Sequence, residues 1–173
     1  MKNAIISYLG ENKPNLITDI TSLLTNLGGQ FSGVTFATLG RGCELTMVYN
    51  HSKELSIEQI KKNLDSIETS KNGEFNVKSF ELQTESGPTT KITHRIILSG
   101  EDQPGLLHKI IKTLDENSAV IVRMNTEKIT YPENTQYIAR FAIAVREDNA
   151  PQCLSEIVKV AGQMKLTFRY ETS

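Results

Sequence analysis

The sequence of 173 residues lacks several features that define large classes of proteins. Its only two cysteines, Cys43 and Cys153, stand far apart in dissimilar contexts. They are interpreted as small hydrophobic residues in a reducing compartment, and no disulfide framework is expected. No apolar run approaches the roughly 18 to 20 residues that span a bilayer. The first apolar segment is broken by Gly10 and Glu11, too early for a signal peptide. We therefore expect a cytoplasmic protein without a membrane partner.

A surplus of basic residues is also missing. Lysine and arginine number 19 against 20 aspartate and glutamate residues, which gives a net charge of −1. Proteins that bind nucleic acids usually carry a basic surplus that contacts phosphates. RNA-recognition motifs further need aromatic residues on their central strands, where this chain has mainly aliphatic ones. Direct binding of nucleic acid is therefore not expected.

Catalytic and metal-binding patterns are absent as well. The three histidines, His51, His94 and His108, accompany no nucleophile motif and no cysteine at zinc-ligand spacing. Each is interpreted as a surface or helix-terminus residue, with His51 in a polar loop. The glycine-rich motifs of nucleotide sites and the C-x-x-C of copper carriers do not occur. We expect no catalytic residue, no metal and no cofactor, and hence no enzyme.

What the sequence does have is a half-domain pattern between Gly100 and Val122. An apolar run, Ile96–Leu98, is followed by the turn Asp102-Gln103-Pro104-Gly105. Aliphatic residues then recur at helical spacing up to Leu114, and a β-branched run closes the segment. This order predicts a strand, a tight turn, a helix and a second strand.

A second copy of this pattern lies 90 residues earlier, as from Gly10 to Gly100. At that offset a glycine, a glutamate, a proline and three helix-face aliphatic residues are identical. The further pairs are Glu11/Glu101, Pro14/Pro104, Leu16/Leu106, Ile20/Ile110 and Leu24/Leu114. A matched run of this kind indicates an internal duplication.

Each copy reads as β-α-β-β-α-β. In the first copy, Asn15 is expected to cap the first helix with its side chain, and Gly40-Arg41-Gly42 to form a hairpin. Ser56 and Gln59 fit a capping box at the second helix, and a last strand is expected over 75–82. The predicted class is α+β, with two ferredoxin-like domains, each a four-stranded antiparallel sheet with two helices on one face. The domains are predicted at residues 1–83 and 91–173, joined by a polar linker at 84–90.

The two turns resemble the signature of the ACT domain, in which Gly-x-Asp-x-Pro-Gly precedes the first helix. The second turn, Gly100–Leu107 (GEDQPGLL), matches closely, and the first, Gly10–Ile17 (GENKPNLI), has Asn12 for Asp and Asn15 for Gly. The resemblance covers nearly the whole chain as two tandem copies. Such a stand-alone pair is similar to the glycine cleavage system transcriptional repressor family. It is also similar to the regulatory N-terminal part of formyltetrahydrofolate deformylases.

This resemblance implies a non-enzymatic regulatory protein that senses a small amino acid, with glycine as the family-implied ligand. It further implies transcriptional regulation through a protein partner such as an activator, and it leaves a homodimer open. Family members bind their ligand where the first turn of one domain meets the paired domain. The implied ligand-binding residues are Glu11, Asn12, Asn15 and Leu16 in the first copy and Glu101, Asp102, Gly105 and Leu106 in the second. The alternative is a ligand-free interaction module that pairs through its sheet edges.

Overall fold

The computed structural model describes residues 2–81 and 91–173, and contacts divide the chain into two compact units, 1–84 and 85–173. The first unit has the order β-α-β-β-α-β. Its elements are β1 (Lys2–Glu11), α1 (Leu16–Asn26), β2 (Gln30–Leu39), β3 (Gly42–His51), α2 (Ile57–Asp65) and β4 (Gly73–Ser79), with a 3-10 turn at Glu68–Ser70. The strands form one antiparallel sheet in the order β2-β3-β1-β4.

The second unit repeats this architecture. Its elements are β5 (His94–Glu101), α3 (Leu106–Glu116), β6 (Val120–Thr130), β7 (Thr135–Ala144), α4 (Ala150–Gln163) and β8 (Thr167–Thr172). The sheet order is β6-β7-β5-β8, again antiparallel throughout. The predicted α+β class, with two ferredoxin-like βαββαβ domains, is confirmed. The predicted linker at 84–90 lies outside the described residues, and the predicted boundaries at 83 and 91 stay a prediction.

One hydrophobic core lies in each unit between the helices and one face of the sheet. In β3, inward residues alternate with outward ones, so that Leu45, Met47 and Tyr49 are buried. Ile20 and Leu24 of α1 complete the same cluster from the helix side. In the second unit, the equivalent helix residues Ile110 and Leu114 are buried with the strand residues of β5 and β7. The sequence pairs at the 90-residue offset therefore build the two cores.

Several local predictions can be compared directly. Ser56 forms the predicted capping box with Gln59, and α3 begins and ends as predicted for 106–116. Asn15 holds the predicted N-cap position, but the predicted mechanism is wrong. Its backbone is left-handed and its side chain makes no capping hydrogen bond. β4 begins two residues before the predicted Phe75 and ends at Ser79, so the predicted strand is wrong at Phe80 and Glu81. The last predicted position, residue 82, lies outside the described residues.

Candidate functional site

The turn between β1 and α1 is held by backbone hydrogen bonds. The N–H of Asn12 donates to the carbonyl of Arg41 at 3.3 Å, which ties the turn to the β2–β3 hairpin. The N–H of Leu16 donates to the carbonyl of Lys13 at 3.3 Å, and that of Asp19 to the carbonyl of Asn15 at 2.8 Å. Asn15 lies between them with φ 67° and ψ −2°. The chain thus reverses direction and enters the helix within four residues.

The turn between β5 and α3 repeats these contacts. The N–H of Asp102 donates to the carbonyl of Thr135 at 3.1 Å, and that of Leu106 to the carbonyl of Gln103 at 3.2 Å. The N–H of Lys109 donates to the carbonyl of Gly105 at 2.9 Å, and Gly105 has φ 75° and ψ 3°. Neither helix N-terminus is capped by the side chain of its N-cap residue. Each first turn therefore presents backbone N–H groups that no capping side chain satisfies.

Six of the eight predicted site residues lie at the surface of these turns. Asp102 is partly buried, and the other five polar or glycine positions are exposed. The remaining two, Leu16 and Leu106, place their side chains in the core, at 1% and 2% exposure. These leucines offer the turn only backbone, while their side chains fix the start of each helix against the sheet. The structure thus brings the four residues of each copy to one turn, with distinct tasks for the leucines.

In the first turn, Glu11 is held by its neighbours. The Nδ2 of Asn72 donates to its Oε2 at 2.8 Å, and the ammonium group of Lys13 lies 3.6 Å from the same oxygen. The hydrogen bond from Asn72, with a smaller contribution from Lys13, lowers the pKa of this carboxyl group. Glu11 is therefore a charged acceptor on the side of the turn that faces β4.

In the second turn, Asp102 has a cationic partner. The ammonium Nζ of Lys128 on β6 lies 2.7 Å from its Oδ2. The hydrogen bond and the charge of Asp102 raise the pKa of Lys128. The following residue, Gln103, donates from Nε2 to the carbonyl of Met164 at 2.7 Å and joins the turn to the end of α4. Sequence inspection missed the contact with Lys128, because it depends on the register of three strands.

A concave pocket of about 600 Å³ lies beside the second turn. Its lining comprises Gly100, Glu101, the β6–β7 loop at 131–134 and the first two residues of β7, Thr135 and Gln136. Glu101 is the predicted site residue that lines it, next in the chain to Asp102 of the turn. The length of the β6–β7 loop is the feature of the sequence that points to this pocket. Residues 131–134 stand where the first copy has the two-residue turn Gly40-Arg41.

Two of the three histidines are buried in strands. His51 is wrongly predicted as a residue of a polar loop, since it ends β3 with 1% exposure. Its Nδ1 donates to the carbonyl of Ser52 at 2.8 Å, and its ring stacks on Tyr49 with centroids 6.0 Å apart. His94, at the start of β5, is also buried, so its predicted surface position is wrong, whereas His108 on α3 is exposed as predicted. Within 2–81 and 91–173, no group of three or more His, Cys, Asp or Glu residues is placed to hold a metal ion.

The same described ranges contain no helix that is both long and apolar enough to cross a membrane. No family model matches the chain, and no curated protein matches it. Solved structures do. A crystal structure described as an unknown protein from Galdieria sulphuraria is 15% identical, covers 99% of this chain and 98% of its own, and has a TM-score of 0.78.

A candidate glycine cleavage system transcriptional repressor is similar over the same extent. It is 14% identical, covers 99% of this chain and 97% of its own, and has a TM-score of 0.72. The fold is that of a tandem pair of ACT-type domains. At these identities the likeness is one of fold. An ACT domain protein from Streptococcus pneumoniae covers 45% of this chain and 89% of its own, with 15% identity and a TM-score of 0.41. In the ACT-type fold, the two turns described above connect the first strand and first helix of each domain.

Proposed function

We propose that this chain is a non-enzymatic regulatory protein that binds a small amino acid at the first turn of one or both ACT-type domains. Glycine is the first ligand to test, because one protein of the same fold is described as a candidate glycine cleavage system repressor. The observation that carries the proposal is the repetition of one turn geometry. Both copies have a left-handed N-cap residue and a helix without a side-chain cap.

The chemistry of this turn suits an amino acid zwitterion. A helix N-terminus combines free N–H groups with partial positive charge, which favours an α-carboxylate. Asn12 or Asp102, three residues before the N-cap, offers an oxygen acceptor for the α-ammonium group. Since α1 and α3 have no side-chain cap to displace, a carboxylate meets no internal competitor at the helix end.

Regulation would follow from differential binding. A ligand that prefers one of two conformations shifts the population toward it, by no more than its difference in affinity for the two. A balanced net charge of −1 does not favour contact with DNA phosphates, so an effect on transcription would pass through a protein partner. A transcriptional activator is the partner class that we propose.

The experiment is isothermal titration of the full chain with glycine and then with each of the other common amino acids. We expect saturable binding of at least one, and loss of affinity at the second turn in Asp102→Asn. A matched control is Asp148→Asn. Asp148 is an exposed carboxylate of the same domain, paired with Arg146 at 2.8 Å, and its loss should leave binding unchanged. Folded protein that binds none of the amino acids would overturn the proposal.

A second candidate is an interaction module that pairs through a sheet edge. The edge strand β2 carries no charged residue over its ten positions. By contrast, the edge strands β4, β6 and β8 each contain charged residues. Val34 and Phe36, opposite the buried Met47 and Leu45, are 51% and 37% exposed. An uncharged edge with exposed apolar residues is suited to pairing with another strand.

Sedimentation equilibrium over a range of concentrations separates the two candidates. An interaction module that self-pairs through β2 predicts a dimer that Phe36→Lys abolishes and that amino acids do not affect. Lys78→Glu on the charged edge strand β4 is the control. A chain that stays monomeric at all concentrations would count against self-pairing through β2.

A further inference from the structure

The ion pair between Asp102 and Lys128 has no charged counterpart in the first domain. Lys128 pairs with Tyr137 in the β6–β7 register, and Tyr137 pairs with Gly100 of β5. In the first domain, Thr38 pairs with Cys43, and Cys43 pairs with Gly10 of β1. Gly10 and Gly100 are equivalent in the duplication, so Thr38 and Lys128 hold the same place in their sheets.

The two copies therefore differ at both members of this pair. Where the second domain has Asp102 and Lys128, the first has Asn12 and Thr38, neither of which bears a formal charge. A carboxylate and an ammonium group are thus present together in one copy and absent together in the other. This matched difference indicates that the two side chains act as a unit at the turn.

We propose that Lys128 is an affinity-determining residue of the second turn, whose ammonium group competes with the α-ammonium of an incoming amino acid for Asp102. The inference rests on the proposed function, in which Asp102 accepts that group. Lys128 lies 2.7 Å from Asp102 Oδ2, the distance of a charge-assisted hydrogen bond, so that oxygen is already engaged by the lysine. A ligand must displace the lysine or share the carboxylate with it.

The exposure of the pair sets the size of the effect. The side chains of Lys128 and Asp102 are 60% and 30% exposed, and ion pairs between exposed groups are weak. The lysine therefore leaves and returns readily, and its competition lowers affinity by about two- to fivefold. Asp102 also raises the pKa of Lys128, which favours the protonated form of the competitor. In the first turn, the neutral Asn12 meets no such competitor from Thr38.

The test is a titration of the full chain with glycine. Binding is monitored by NMR through the backbone amide resonances of Leu107 and His108 at the start of α3. If another amino acid is the ligand found by calorimetry, it replaces glycine as the probe. Lys128→Thr, which copies the first domain, should raise the affinity reported by these amides about two- to fivefold. Arg146→Thr, which removes the cation of the Asp148 pair, should leave the affinity unchanged.

Asp102→Asn supplies the second arm of the experiment. Because the competition needs the carboxylate, Lys128→Thr should have no further effect in an Asp102→Asn background. An unchanged or lower affinity in Lys128→Thr, with the wild type still binding, overturns this inference and leaves the proposed function standing. If the amino acid shifts these amide resonances in Lys128→Thr but not in the wild type, the result supports the inference. If neither wild type nor Lys128→Thr responds to any amino acid at either turn, both proposals fail.

Discussion

Asn15 and Gly105 adopt the same left-handed backbone conformation, with φ of 67° and 75° at the N-caps of α1 and α3. The two residues also accept the same helical hydrogen bond, from Asp19 and from Lys109. Glycine enters this region at no steric cost, and asparagine enters it more readily than other side chains do. The replacement of glycine by asparagine in the first copy therefore preserves the turn.

The conformation of Gly105 predicts which substitutions the second turn tolerates. A Cβ built at this position meets no atom within 4 Å, so the cost of a side chain comes from the backbone alone. Gly105→Ala should lower the free energy of unfolding by about 1 kcal/mol, and Gly105→Asn by clearly less. Urea unfolding followed by circular dichroism measures both. Equal losses in the two variants would contradict the argument from the left-handed backbone.

Gly10 should be intolerant of any side chain for a different reason. A Cβ there would lie 2.4 Å from the Cα of Gly73 and 2.5 Å from the hydroxyl oxygen of Tyr8. Because one neighbour is backbone, Gly10→Ala should destabilise the first domain by about 1–3 kcal/mol, as overpacking does. Gly33→Ala is the matched control, since its Cβ would meet nothing within 4 Å. A Gly10→Ala melting temperature equal to that of the control would refute the predicted clash.

The duplicated leucines on the helix faces should contribute to the stability of the fold rather than to ligand binding. Leu114 is 0% exposed, and Leu114→Ala should cost about 2–5 kcal/mol of unfolding free energy. Val158 on α4 is 49% exposed, so Val158→Ala should change stability by less than about 0.5 kcal/mol. Chemical denaturation of the two variants checks the difference. The prediction fails if Leu114→Ala unfolds at the same urea concentration as the wild type.

Both thiols should be inert in the native protein. Cys43 and Cys153 are each 0% exposed, and burial raises the pKa of each thiol. A raised pKa leaves less thiolate at any given pH, and the thiolate is the reactive form. Ellman's reagent at pH 8 should therefore label neither cysteine in the folded chain and both in guanidinium chloride. Rapid labelling of either thiol in the native chain would contradict this prediction, because it would show that the buried cysteine becomes exposed to solvent.

Much of the fold could be predicted from the spacing of apolar residues and from the turn and capping residues between them. The strand alternation of β3, the helix face of α3 and the capping box at Ser56 are local patterns, and local patterns specify element type well. Element ends shifted by a few residues, as at β4, because pairing with a neighbouring strand decides where a strand stops. Because the chain is duplicated, the pattern that is clear in the second copy also predicted the elements of the first.

The details of the site depended on contacts between residues distant in sequence. His51 was assigned to a loop from its polar neighbours, although it continues the buried alternation of Met47 and Tyr49. Asp102 and Lys128 meet because β5, β7 and β6 pair in one register, which no single segment encodes. The turn itself was found from its glycine and proline, whereas its charge partner required the sheet.

The two domains also place an aromatic ring differently beside the first-strand glycine. In the first, Tyr8 of β1 lies over Gly10, and the residue opposite that glycine is Cys43. In the second, β1's tyrosine is replaced by Leu98, and Tyr137 of β7 stands opposite Gly100. A hybrid domain with one strand from each copy would therefore contain two rings or none at this point. To keep one ring at this point, an exchange of strands between the copies would have to include both strands together.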